Sequence, residues 1–473
     1  VLPLVYVLVL LPITVLDVRH ASGRATFDQS LFHEPTIRAA SESWPVVELT
    51  YPKHYVAMTP GYHWAFGGVR LLTGLEAPGL RVVWLVVSGV ILCGFTLVLA
   101  RRAGVWLGVA LSVPLYMSLY VVSSSAWLLA DNAGWAWVLA LSLLALRIPW
   151  SWRVGVLAGL GLLAAFWTRQ NLLWLALPLW AAAWMGPWRG RSGGLDDPGA
   201  HPLASFRRRA VALLPMAAAT IPALVSLWYV YSVWGGLVPH EFQGQYASYN
   251  LSNIPLQFAM LAALGPFFLP ALVGVGEAGW RERIARTLAR CRPWAIGAAV
   301  AVAAFSSAVP TNYEPKAGRA GMVWIIGSKL NALSPAPDFF SPLLVVGAAV
   351  GAAVLVCAIA CAPGRQRWVL GAIFAGFGVA QAASYVAWQR YHDPFALLFM
   401  GLLTATAVAA RERRPARPPL IQVVPLVLLA VALAVVTVAT LWQREIGPWQ
   451  AGAPAMPSSS DLPPPPGSVS EGQ

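Results

Sequence analysis

Apolar runs of about 17–25 residues, long enough to cross a bilayer as helices, recur along almost the whole chain. They fall near 1–18, 81–100, 104–122, 126–146, 154–167, 171–186, 211–233, 254–276, 294–310, 342–362, 368–387, 394–410 and 420–441. In hydrocarbon only helices and closed barrels satisfy their own backbone groups, and runs of this length without alternation specify helices. The expectation is an all-α polytopic membrane protein of about 13 transmembrane helices. Composition agrees: 11% of residues are charged, against about 25% in soluble domains. The fifth and sixth runs are short and fit a tilted pair or a re-entrant hairpin. Val1–Leu16 has no basic leader and no small-residue cleavage site, and reads as a retained first helix.

The net charge of +13 does not signal nucleic acid, because the arginines alternate with the spans. They group at 101–102, 147–153, 189–209, 281–292, 365–367 and 411–417, always on the same side. By the positive-inside rule that side is cytoplasmic. The N-terminus is then inside, while the loop at 19–80 and the tail from 442 are outside. Most acidic residues fall outside as well, so any chemistry belongs on the outer face. Residues 1–441 read as one transmembrane domain, and 442–473 as a Pro/Ser-rich disordered extracytoplasmic tail. Lysine occurs only at 53, 316 and 329, a bias that fits a GC-rich source and hence a bacterial plasma membrane. Cys93, Cys291, Cys357 and Cys361 make no metal motif and read as buried thiols.

The longest polar stretch, Ala25–His63, gathers Asp28, His33, Glu34, Glu42, Glu48, His54 and His63 between the first two spans. In a chain poor in acids, such a loop reads as an active-site loop. Asp28 or Glu34 is the candidate general base. Asp28 can equally cap a short helix, with Pro35 in the following first turn. Thr59-Pro60-Gly61 is a turn signal, and Tyr62, His63 and Trp64 suit an interface. Asp131 lies inside a span, where a carboxylate is costly and marks function by default; its ordinary role is a helix-start acid. Arg169 stands on the outer side, against the arginine trend, as a phosphate ligand would, or as a residue that snorkels to headgroups. The loops carrying His240 and Arg390–Asp393 bring further polar groups to the same face. There is no P-loop, no GxGxxG after a strand, no HExxH and no Asp-x-Asp. No cofactor or metal site is expected, with a divalent cation left open.

Several segments together resemble the dolichyl-phosphate-glucose α-1,2-glucosyltransferases of the GT-C class. They are Phe32-His33-x-Pro35, Trp44, Pro60-Gly61-Tyr62, Asp131, Arg169-Gln170-Asn171-x-x-Trp174, Gly235-Gly236 to His240, Pro255 with Gln257, and Arg390-Tyr391. The order runs through most of the chain. One step departs from it: the family shows an acidic pair directly before Phe-His, where this chain has Gln29-Ser30, with Asp28 one residue upstream. A one-residue insertion restores the register, and Glu34 is the alternative.

The resemblance implies a GT-C-like bundle with a long first outer loop. It implies a hexosyl donor, glucose favoured, linked through one phosphate to a polyprenol, and a glycan or glycolipid hydroxyl as acceptor, with inversion in a single displacement. Asp28 or Glu34 would take the proton. Asp131, Arg169, Gln170, Asn171, Arg390 and Tyr391, with His33, Pro60, Tyr62, His63 and His240, would bind substrate. The competing expectations are a mannosyl- or arabinosyl-transferring GT-C enzyme, or a lipid-linked-sugar flippase. Donor, acceptor and membrane lipids are the expected partners, and nucleic acid is not.

Overall fold

The computed structural model describes residues 1–15, 24–50, 52–146, 151–185, 202–246, 248–411 and 417–446. Of the tail expected at 442–473, residues Trp442–Ile446 continue the last helix as a π turn, and 447–473 lie outside the described residues. The chain is an all-α polytopic membrane protein. Among the described residues, seven helices are long and apolar enough to cross a bilayer: Ala77–Ala103, Arg209–Trp234, Asn253–Val273, Trp280–Ala308, Pro342–Ala360, Gln389–Ala409 and Leu420–Arg444. Val105–Tyr116 and Leu119–Ala126 make an eighth if taken as one span, bent by 73°.

The run expected at 104–122 thus breaks. Pro114 sits in the last turn of the first half, and Ser118, extended at φ −64° and ψ 128°, separates the halves. The run at 154–167 becomes helix Trp152–Thr168, shorter than a full crossing, and the described part of the run at 1–18 is helix Leu2–Val15. The sixth run starts as a 3₁₀ turn, Gln170–Leu175, before Ala176–Met185.

Helix Gln389–Ala409 is the axis of the molecule, buried along almost its whole apolar length. Its flank is aromatic: Phe395 stacks on Phe377 with ring centroids 3.8 Å apart, and Phe399 follows one turn on. Helix Trp280–Ala308 is the opposite case, 11% buried, with Trp294, Ile296 and Val300 exposed. In a bilayer such a face meets lipid. Pro342–Ala360 packs closely on Asn253–Val273: a Cβ on Gly351 would sit 1.8 Å from the Phe258 carbonyl oxygen.

The polar stretch between the first two spans folds as a packed unit. Arg24–Asp28, a π turn Gln29–His33 and Glu34–Ser43 form one nearly continuous helical run that packs against Gly61–Thr73. Ile37, Val56, Met58, Tyr62, Phe66, Leu80, Trp84 and Leu128 form its buried core. At roughly 1.5–3 kcal/mol for each large side chain, this core is enough to hold the loop against the bundle. The described residues contain one sheet, a parallel pair of two-residue strands, Arg319–Ala320 and Ala387–Trp388. It braces the entry to the axial helix, where the Trp324 indole donates to the Ala387 carbonyl at 2.8 Å. The Gln389 side-chain oxygen accepts from the Val323 amide at 2.9 Å.

Candidate active site

Three elements far apart in sequence bring their charges together at the start of the axial helix. Asp131 opens helix Asp131–Ala145, Arg169 is the extended residue between Trp152–Thr168 and the following 3₁₀ turn, and Arg390 is the second residue of Gln389–Ala409. The Asp131 carboxylate accepts from Arg390 Nε at 3.0 Å and Nη2 at 2.8 Å, and its other oxygen pairs with Arg169. Arg390 Nη1 reaches Asp28 at 2.6 Å, and Arg24, one turn before Asp28, closes the row at 3.4 Å. Arg390 sets two donors on one Asp131 oxygen and Arg169 one donor on the other, so a single carboxylate holds both guanidinia. Tyr391 lies between them, its ring centroid 5.2 Å from the Arg169 guanidinium and 5.7 Å from that of Arg390.

These groups line a cavity of about 610 Å³. Its polar wall holds Asp28, His33, Asp131, Arg169, Gln170, Asn171, Arg390 and Tyr391, all of them sequence candidates. Its other wall is largely apolar, with Leu173, Leu227, Leu237, Val238 and Phe242. Three arginines face two carboxylates, so the cavity carries one positive charge in excess when its histidine is neutral.

Asp28 does not cap a helix. Its backbone is helical at φ −59° and ψ −41°, its side chain makes no capping bond, and the chain passes directly into the π turn. The π turn holds one residue more than an α turn would, and Asp28 directly before it lines the cavity. Glu34, six residues on, is not among the lining residues.

Behind the cavity wall the histidines form a chain. His33 Nδ1 and His63 Nε2 are 2.8 Å apart with their rings 13° from parallel. His54 stands edge-on to His63 at 6.5 Å and bonds the Met58 carbonyl at 2.7 Å. Burial pushes His33 down to about 4, opposed by Asp28 and reinforced by Arg390. Burial likewise holds His54 at about 4, against its backbone hydrogen bonds. His63 is driven well below its ordinary value by burial and by both neighbouring histidines. All three are neutral at physiological pH, so positive charge in the cavity comes from arginine alone.

The remaining candidates divide. Gln170 straps the site: its side chain accepts from the Thr59 amide at 3.0 Å and donates to the Ala57 and Leu237 carbonyls, each at 3.1 Å. Pro60 precedes helix Gly61–Thr73, and its carbonyl accepts from the Trp64 amide. Tyr62 is buried in the loop core against His33, His63 and Trp84. His240 is exposed at the start of a short helix, off the cavity wall. Arg24 and Trp388 escaped the sequence reading. The Arg24 guanidinium lies 5.3 Å from the Trp388 ring, and Trp388 stacks on Tyr391 at 6.2 Å. The signal for Arg24 was present, since like Arg169 it falls outside the arginine groups that alternate with the spans. Among the described residues, no group of three or more His, Cys, Asp or Glu side chains is placed to hold a metal ion.

The fold and the cavity define a helical membrane protein with a charged, half-apolar pocket at one end of its bundle. No family model matches the chain, and no curated protein matches it. Among solved structures it is similar to ArnT from Cupriavidus metallidurans bound to undecaprenyl phosphate, at 16% identity and a TM-score of 0.34 over 86% of this chain and 77% of that one. The apo state of the same protein gives 16% identity, a TM-score of 0.34, and 85% and 77% coverage. Likeness at that level leaves function to the chemistry of the cavity.

Proposed function

We propose that the chain is a GT-C-class glycosyltransferase that moves a hexose, glucose favoured, from a polyprenyl-phosphate donor to a hydroxyl of a glycan or glycolipid on the extracytoplasmic side. The observation that carries this reading is the pair Arg169 and Arg390, locked by one buried carboxylate at the mouth of a half-apolar cavity. A phosphodiester needs that pair of planar donors, and a prenyl chain needs the apolar wall. The resemblance of the sequence segments supports the same class.

In the mechanism that fits, the donor phosphate competes with Asp28 for Arg390 Nη1. Asp28 is then free to accept the acceptor hydroxyl proton as the oxygen attacks the anomeric carbon. The bond between that carbon and the phosphate oxygen breaks, its electron pair leaves with the polyprenyl phosphate, and Arg169 and Arg390 hold the developing charge. Attack opposite the leaving group inverts the anomeric centre. Asp131 positions both arginines, and neutral His33 orients hydroxyls beside Asp28.

The test is donor consumption by the purified chain in nanodiscs, with short-chain polyprenyl-phosphoglucose and polyprenyl-phosphomannose against a panel of glycolipid acceptors. Turnover of the glucosyl donor supports the full reading. Turnover of the mannosyl donor alone keeps the class and replaces the sugar. Failure to consume or bind either donor sinks the proposal.

A further inference from the structure

A second charged pocket lies at the opposite end of the axial helix. The first cavity includes Arg390 and Tyr391 at its start, and the second includes Ala407, Ala410 and Arg411 at its end. The helix has 21 residues, roughly 30 Å at about 1.5 Å per residue, which is the thickness of a bilayer's hydrocarbon core. The two pockets therefore sit at opposite membrane surfaces, the second on the arginine-rich side.

This pocket, about 880 Å³, is built in two layers. Its inner layer is closed on itself. Glu277 accepts from Arg411 at 2.6 Å and from Arg283 at 3.3 Å. Both arginines spend their other donors on the ends of neighbouring helices: Arg283 on the Val273, Gly274 and Ala278 carbonyls, Arg411 on the Leu272 carbonyl at 2.8 Å and on that of Ala271. The outer layer is open. Arg286 and Arg290 are one turn apart on helix Trp280–Ala308, and both are exposed. Among the described residues neither has a carboxylate within ion-pair distance. Arg286 makes one backbone contact, to the Glu282 carbonyl at 3.4 Å.

Depth along the same helix identifies the anion. Exposed Trp294 follows Arg290 by one turn, and the lipid-facing Ile296 and Val300 come next. Tryptophan marks the interface and charged side chains beside it lie at headgroup level. A phosphate ester is the anion that two such guanidinia recognise. At that depth the abundant source is a phospholipid, and basic pockets between helices take anionic headgroups.

We propose that Arg286 and Arg290, on the rigid floor formed by Arg283, Glu277 and Arg411, bind the phosphate headgroup of an anionic phospholipid. The site is independent of the transferase reading and stands or falls separately from it.

The experiment is native mass spectrometry of the full chain released from detergent after titration with phosphatidylglycerol. Phosphatidylcholine of the same acyl chains and inorganic phosphate form the other arms. The Arg286→Ala/Arg290→Ala double variant is expected to lose about 10- to 30-fold in affinity for phosphatidylglycerol, from roughly 1 kcal/mol per basic residue near a membrane surface. Arg286→Lys/Arg290→Lys keeps the charge and is expected to retain most of it. Both side chains are exposed, so the variants fold, and their unfolding midpoints check this. Equal affinity for the two lipids, or wild-type affinity in the alanine variant, overturns the proposal. Displacement of the lipid by inorganic phosphate at comparable concentration overturns the choice of a lipid as the source.

Discussion

Replacing Asp131 with asparagine tests the account where stability and function part company. The side chain is isosteric, so packing is unchanged, but one carboxylate oxygen becomes an amide that donates toward a guanidinium. Asp131 is 6% exposed and its partners Arg169 and Arg390 are each 17% exposed. Removing one partner of a buried pair costs about 3–5 kcal/mol. Arg390 keeps Asp28 at 2.6 Å, so the uncompensated charge is chiefly that of Arg169, and the loss belongs at the lower end, about 3 kcal/mol. The unfolding midpoint of the detergent-solubilised variant is expected to fall accordingly. Turnover depends on both arginines being aimed at the leaving phosphate. Losing that preorganisation costs about 10²–10³-fold in rate, as for an oxyanion donor. The discriminating readout is the thermal shift on adding a polyprenyl phosphate. In the variant the ligand supplies the missing negative charge, so its stabilising shift exceeds that in wild type. A variant with wild-type turnover, or with a smaller ligand-induced shift than wild type, refutes the positioning role of Asp131.

Other consequences are more local. His33 and His54, both near 4 when folded against an ordinary 6.5, bind protons more readily unfolded. Their contribution is present in full above about pH 6.5 and is lost as the pH falls toward 4; at pH 5.5 each has cost about 1.4 kcal/mol. Equilibrium unfolding between pH 7.5 and 4.5 reads this, and His33→Asn should flatten the profile. Gln170→Ala removes three hydrogen bonds that tie residues 57–59 to Leu237, at about 1 kcal/mol each, and is expected to raise the acceptor KM more than it lowers kcat. Gly351→Ala forces a Cβ against the Phe258 carbonyl and is expected to cost at least about 1–3 kcal/mol of stability, read as a lower unfolding midpoint.

The individual members of the site were legible in the sequence for one physical reason. An ionisable residue in or against an apolar span is expensive, so Asp131, Arg169 and Arg390 each stand out. Their pairing was not legible. Asp131 and Arg390 are 259 residues apart, and no periodicity encodes which carboxylate meets which guanidinium. Glu34 shows the converse limit. It adjoins His33 in sequence, yet successive helical residues point about 100° apart, and His33 lines the cavity where Glu34 does not. Span lengths were the least legible feature. The apolar runs at 104–122 and 154–167 have the composition of crossings, but one breaks at the extended Ser118 and the other closes at Thr168 before the extended Arg169. The second interruption borders the site and places Arg169 on the cavity wall.

The initial rate of polyprenyl phosphate release from a polyprenyl-phosphate sugar, compared across wild type, Asp28→Asn and Glu34→Gln in nanodiscs, tests the central claim most directly. The account predicts release by wild type, its loss in Asp28→Asn, and its survival in Glu34→Gln. Release at the wild-type rate by Asp28→Asn, with loss in Glu34→Gln, would contradict it.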